Sequence, residues 1–461
     1  MNKRVLYIAS AVLLLIIGII VYRAIKNPVS LKKRGFEMKK ELFKKVAVFQ
    51  KLDTVVERLP IAVSLEEFCP SRLDQGDQNS CVGWSSAYAA RTILEAQATG
   101  KSPNSLAFSP AFLYNQIHLP DCVGSHVPDA LRTLHDGGLL SLDEFPYDPE
   151  TCDKVPTAEQ KKRAESYKIA GFSRLTKSEN DVTIDTVAIK QCLSKGAPVI
   201  IGVLVMESFE NCDTAIWRLP KEDVYKGGHA MCVIGYNDTL AGGCFRVMNS
   251  WGEDWADKGF VWVGYNDFFK ICKEAYAIEP LEKKSKEDFL HINLSVYDSK
   301  TNRPVGINNE VIYFYKNKLK NERAKRKALV RLAVKNEFDC YLYILAQRGK
   351  RSLVLFPNNK EHHSPYLGLS GRRLFPSDRA LTGRELRKYS YMTVILGKNA
   401  LNIDSLNKVL NNKKNRRLLP LARAKKILPD AKPIYFMGSA MNISDSVKGN
   451  KAVVRLVKLR R

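Results

Sequence analysis

Histidine is scarce in this chain: 7 in 461 residues. The ten cysteines form no CxxC pair and no zinc-ligand spacing, so neither a metal site nor any other cofactor is expected. Five tryptophans and no nucleic-acid motif with a mechanism of its own leave specific nucleic-acid recognition unpredicted. Acidic residues are thin at both ends. Residues 1–57 carry 12 Lys and Arg against 4 Asp and Glu, and residues 281–461 carry 40 against 14. The stretch between them has 21 basic and 30 acidic residues, a net −9 inside a chain of net +25. A basic end of this kind reads first as a solvated lysine-rich surface and second as a site for an anionic partner. At 45% hydrophobic, the chain can build large cores, and its length suits two or three domains.

Long apolar runs are absent but for Val5–Tyr22, 18 residues without a charge. At 1.5 Å per residue such a run spans about 27 Å, enough for a bilayer core. Tyr7 and Tyr22 stand near its ends, where interface aromatics belong. Lys3 and Arg4 before it also fit a cleaved signal peptide, but no small-x-small site follows, so an uncleaved single-pass anchor is expected. Basic residues on both flanks leave the membrane side of the rest of the chain open.

The stretch around which the rest is organised is Gln75-Gly76-Asp77-Gln78-Asn79-Ser80-Cys81. Turn formers give way to a breaker-free small and apolar run through Ile93, so Cys81 is expected in the first turn of a buried helix with Ser80 as N-cap. Unpaired N–H groups and the helix dipole favour a thiolate there. Downstream, His229 opens a strand-like run and Asn249 ends another before Ser250-Trp251-Gly252. A cysteine nucleophile needs a base and an orienter. His229 has the chemistry of the base and Asn249 that of the orienter, with Trp251 shielding their hydrogen bond. Gln75 can aim an amide N–H at a developing oxyanion beside the Cys81 N–H.

Gln75, Cys81, His229-Ala230 and Asn249-Ser250-Trp251-Gly252, in that order, closely resemble the papain-like cysteine peptidases. The resemblance covers about residues 58–281. It implies a helical lobe that supplies Cys81, a sheet lobe that supplies His229 and Asn249, peptide or protein substrates, and an acyl-enzyme. Plant-type members have Cys-Gly before the Ser-Cys pair and Trp after it. Here Gln78, Asn79 and Val82 hold those places and an aromatic follows at Trp84, so the chain looks more like the bacterial branch. By this reading the protein is an α+β, two-lobed catalytic domain at 58–281, behind an anchor at 5–22 in what reads as a bacterial cell membrane. Residues 23–57 form a basic, helix-prone linker. That linker is too short for the family's propeptide and lacks its pattern, so no inhibitory segment is expected. Residues 282–461 are a basic β-rich accessory domain, with Lys451–Leu459 as an edge strand, Asn402–Asn411 as a short helix and His362-His363 in a solvated loop. Acyl transfer to an amine by the same residues, or a silent peptide-binding scaffold, are the alternatives. Cys122 and Cys152 lie in loops where an oxidising compartment allows them to pair.

Overall fold

The protein is described here from a computed structural model. It describes residues 33–279, except 55, 56, 179 and 180, together with strands and a few connecting residues between 289 and 459. The expected anchor at 5–22 lies outside the described residues, as do His362-His363 and most of Asn402–Asn411. Among the described residues no helix is long and apolar enough to cross a membrane.

The helical lobe grows from the run after Ser80. Helical backbone starts over Cys81–Gly83, continues as π-helix through Trp84–Arg91, and returns to α-helix over Thr92–Thr99. Every residue from Cys81 to Leu94 is buried, Ser85, Ser86, Arg91 and Thr92 included. Gly100 closes it with a left-handed φ of 67°. Pro110–Tyr114 packs alongside, with Ser109 Oγ accepting the Phe112 N–H at 3.0 Å and proline in the first turn. Val127–Asp136 completes the lobe. Ser80 does not act as a side-chain cap; its hydroxyl pairs with the Tyr147 phenol at 2.7 Å.

The second lobe is a sheet of eight strands: β1 Ala62–Ser64, β2 Phe172–Arg174, β3 Val199–Met206, β4 Ile216–Trp217, β5 Tyr225–Asn237, β6 Cys244–Met248, β7 Phe260–Gly264 and β8 Cys272–Ile278. Their order is β2-β8-β3-β5-β6-β7-β4, with β1 on β5. The apolar run Val199–Val205 became an interior strand, as such a continuous run should. His229 lies on β5 opposite Val203, and Asn249 follows directly after β6.

Residues 33–53 are not a linker. A single helical turn and a half at Lys40–Lys45 interrupts an otherwise extended strap. Phe36, Phe43, Val46, Val48, Phe49 and Leu52 are buried. Arg174 donates its backbone N–H to Ala47 O at 2.8 Å, and Phe49 donates to Arg174 O at 3.0 Å. Phe43 meets the edge of the Tyr276 ring at 5.4 Å. The strap was read as a basic linker because its lysines are dense; its apolar residues are sparse, but apart from the exposed Met38 and the half-buried Leu42 its large ones are buried.

The far end of the strap meets the C-terminal region. Asp53 pairs with Arg372 at 2.9 Å, and the Arg373 guanidinium donates to Gln50 O at 3.1 Å. The described strands of that region form two sheets. As expected of a β-rich region, strands run over Leu329–Asn336, Cys340–Arg348, Arg351–Phe356 and Tyr391–Gly397. Ala452–Leu459 is not an edge: it pairs with Tyr391–Gly397 on one side and with Val311–Ile312 and Lys432–Pro433 on the other.

Candidate active site

The two lobes bring Cys81, His229, Asn249, Gln75 and Trp251 together. Cys81 is fully buried. Ala230, the residue after His229, donates its backbone N–H to Cys81 Sγ at 3.3 Å. Asn249 Oδ1 accepts from Ser250 N–H at 2.8 Å and lies 2.7 Å from His229 Nε2. Since Oδ1 can only accept, the imidazole carries its proton on Nε2. Nδ1 is buried without a hydrogen-bond partner in the described structure, so it holds the lone pair able to take a thiol proton. Trp251 stacks on the imidazole, with centroids 4.5 Å apart and planes at 24°. Phe209 and Trp255 pack edgewise against Trp251.

Gln75 is held from three sides. Ser250 Oγ donates to its Oε1 at 2.7 Å, the Tyr147 phenol donates to its carbonyl at 2.7 Å, and its Nε2 donates to Gln78 O at 2.8 Å. One amide hydrogen is therefore engaged and the second remains for an oxyanion. Ser250 and Tyr147 were missed as supports because hydroxyl-to-amide contacts across lobes leave no local sequence signal. Cys122 and Cys152 form a disulfide, and Tyr114 and Asn79 both donate to Cys122 O. That loop carries Gly124 and Ser125, one wall of the cleft. His118, His126 and His135 have other partners: Leu119 O, Glu37 O at 2.6 Å and Asp136 respectively.

The cleft is already filled, contrary to the expectation of no inhibitory segment. Residues 33–37 run through it. Ser125 donates to Gly35 O at 2.7 Å and Glu37 donates back to Ser125 O at 3.1 Å. On the opposite wall Gly35 donates to Gly228 O at 3.4 Å, Trp251 Nε1 donates to Lys33 O at 3.2 Å, and Arg34 pairs with Glu210. Gly228 and Gly202 have positional reasons to be glycine. A Cβ on the first would overlap the Phe36 carbonyl, and one on the second would overlap the Phe36 ring. The space beside His229 is thus occupied by the chain's own backbone.

Burial sets the ionisation. Burial pushes the Cys81 thiol up to about 12, against backbone N–H groups that include those of Ala230 and Phe36. Burial pulls the His229 imidazole down to about 4; the Asn249 hydrogen bond opposes this and the Arg34 charge adds to it. The expected helix-start thiolate is therefore overridden: in this state the pair is neutral at pH 7. His229 binds protons less readily folded than unfolded, so its contribution to stability is lost as pH falls from its ordinary 6.5 toward 4. Glu274 acts oppositely. Burial holds its carboxyl up at about 7 against a hydrogen bond from Tyr276, and its contribution is lost as pH rises through that value. Urea unfolding of wild type and His229→Gln should therefore show the wild type's relative stability falling by about 3 kcal/mol between pH 6.5 and 4. A difference that does not change with pH would refute this account.

Residues 70–278 match the family model described as papain family cysteine protease. The class this region defines is thus the papain-type cysteine protease domain. Among curated proteins, the chain is 30% identical over 207 residues to an uncharacterized peptidase C1-like protein of Acanthamoeba polyphaga mimivirus, covering 42% of this chain and 64% of that protein. It is 26% identical over 198 residues to cathepsin K of Mus musculus, covering 42% of this chain and 55% of that protein. The chain thus spans less than two thirds of these relatives. The crystal structure of xylellain, a cysteine protease from Xylella fastidiosa, is similar at 26% identity and a TM-score of 0.45, covering 54% of this chain and 95% of that one.

Proposed function

We propose that the protein is a membrane-tethered cysteine endopeptidase held latent by its own residues 33–37. Cys81 attacks the peptide carbonyl, and His229 takes the thiol proton through Nδ1 and returns it to the leaving amine. Asn249 fixes the imidazole, while Gln75 and the Cys81 N–H hold the oxyanion. The observation that carries this reading is the pair of contacts at 229–230: Nε2 sits on Asn249 Oδ1, and the next N–H in the chain lies on the sulfur. Casein turnover by a chain whose plug has been loosened, and its loss with Cys81→Ala, tests it.

We assign residues 58–281 to the catalytic domain, 5–22 to a single-pass anchor and 282–461 to an accessory domain whose basic excess suits an anionic partner. The 18 uncharged residues support the anchor. The full chain should stay in the membrane pellet through an alkaline carbonate wash, and deletion of 5–22 should release it. Release of the intact chain by the wash would remove the anchor from the proposal.

A further inference from the structure

Apart from the catalytic residues, one cluster gathers side chains that ligate metals. A ring nitrogen of His118 and the sulfurs of Cys122 and Cys152 all lie within 4.8 Å of one another. The two sulfurs are joined as a disulfide, while the other eight cysteines are free and buried. Zinc bound tetrahedrally by thiolate at about 2.3 Å and imidazole at about 2.0–2.1 Å holds its ligand atoms roughly 3.5–4 Å apart. With the S–S bond open, movements of about 1–2 Å bring all three groups onto one ion of that geometry. The ring is also set for it. His118 Nδ1 lies 2.9 Å from Leu119 O, which can only accept, so Nδ1 carries the proton and Nε2 keeps the lone pair. A metal-ligating histidine usually has its other ring N–H held by a carbonyl or carboxylate in this way. Spacing along the chain does not announce the cluster, because Cys152 arrives from a separate loop 30 residues beyond Cys122.

The two loops that meet there brace the approach to Cys81. Cys122 O accepts from the Asn79 amide at 3.3 Å and from the Tyr114 phenol at 2.8 Å. Gln78 Nε2 donates to Asp148 O at 3.1 Å and to Thr151 O at 2.9 Å. Gln78 and Asn79, on the way from Gln75 to Cys81, thus each hold one of the two loops. Ser125, just past Cys122, makes the contacts to Gly35 and Glu37 of the plug. A covalent or metal link between Cys122 and Cys152 therefore ties the cleft wall to the segment that carries the nucleophile.

We propose that His118, Cys122 and Cys152 form a zinc site in the reduced protein, so that the metal takes the disulfide's place as the tie between the loops. Two molecules of a small thiol open the S–S bond: the cysteines gain two electrons and two protons, and the small thiol leaves as its own disulfide. Zinc then displaces both protons, since a ligating sulfur is a thiolate, and a water completes the four-coordinate shell. The test needs no turnover. It uses the full chain carrying Cys81→Ala, so that the catalytic thiol binds no metal, with a phosphine as reductant. The reduced chain should take up Zn²⁺, and Co²⁺ in its place should show a thiolate-to-metal charge-transfer band that the oxidised chain lacks. His118→Ala and Cys152→Ser should each weaken Zn²⁺ binding by at least about tenfold, no less than the loss of a ligand's supporting partner. No band in the reduced chain, or an affinity unchanged in either variant, overturns the proposal. A second measurement follows re-formation of the disulfide by an oxidised small thiol. With Zn²⁺ at ten times its Kd, re-formation should slow about tenfold, and at the same concentration at most about twofold in His118→Ala. Equal rates with and without Zn²⁺ overturn the proposal. Should reduction alone unfold the catalytic region, Zn²⁺ must restore cooperative melting to the chain with His118 and not to His118→Ala; a failure to do so overturns it as well.

Discussion

His229→Ala, made in a chain whose plug has been loosened, is expected to lower casein turnover by about 10⁴-fold or more, the usual scale for loss of a triad member. The imidazole is the group that can accept the thiol proton: its Nε2 is engaged by Asn249 and its Nδ1 is free to act. Without it no group is placed to take the thiol proton, and a free thiol stays mostly protonated at neutral pH. Gln75→Ala should be milder, about 10²–10³ in kcat, because the Cys81 N–H still holds the oxyanion. Active-site labelling separates the two, since His229→Ala should slow alkylation of Cys81 whereas Gln75→Ala should act mainly on turnover. Equal losses of labelling in both variants would sink the assignment of roles, and undiminished casein turnover in Cys81→Ala would sink the peptidase reading.

Phe36→Ala is expected to raise the iodoacetamide reactivity of Cys81 by about 100-fold or more. The ring is 4% exposed and packs into the gap left by Gly202. Truncating a buried phenylalanine costs about 3–5 kcal/mol, and most of that falls on the closed state because the ring's surroundings are the cleft walls. At 1.4 kcal/mol per factor of ten, even the lower figure moves the closed-to-open ratio by about two decades. Opening also admits water to the sulfur and the imidazole, which removes the burial that holds both neutral. Alkylation at the wild-type rate, in a variant whose melting confirms a folded protein, would show that residues 33–37 do not control access.

Much of the site was legible because its parts carry short local signals. Gln75 and Cys81 share one loop-to-helix transition, Asn249 marks a strand end, and His229 follows a pair of glycines inside β5. The helix over Val127–Asp136 and the strand over Val199–Met206 were readable from periodicity and from the glycines and prolines that bound them. The strap was illegible for the same reason. Its charge density reads as solvated, and Phe36 or Phe43 alone has no period. Likewise Lys451–Leu459 looked like an edge because its alternation of basic and apolar residues says nothing about which strands will flank it.

The order of residues along the chain determined the chemistry available: a thiol at a helix start, an imidazole on one strand and a carboxamide after the next. The three-dimensional packing decided whether that chemistry is exposed. It threads Gly35 and Phe36 between Ser125 and Gly228 and seats a ring where Gly202 has no side chain. Those are complementarities of shape and hydrogen bonding between segments far apart in the chain, and they come into being only when the lobes close on the strap.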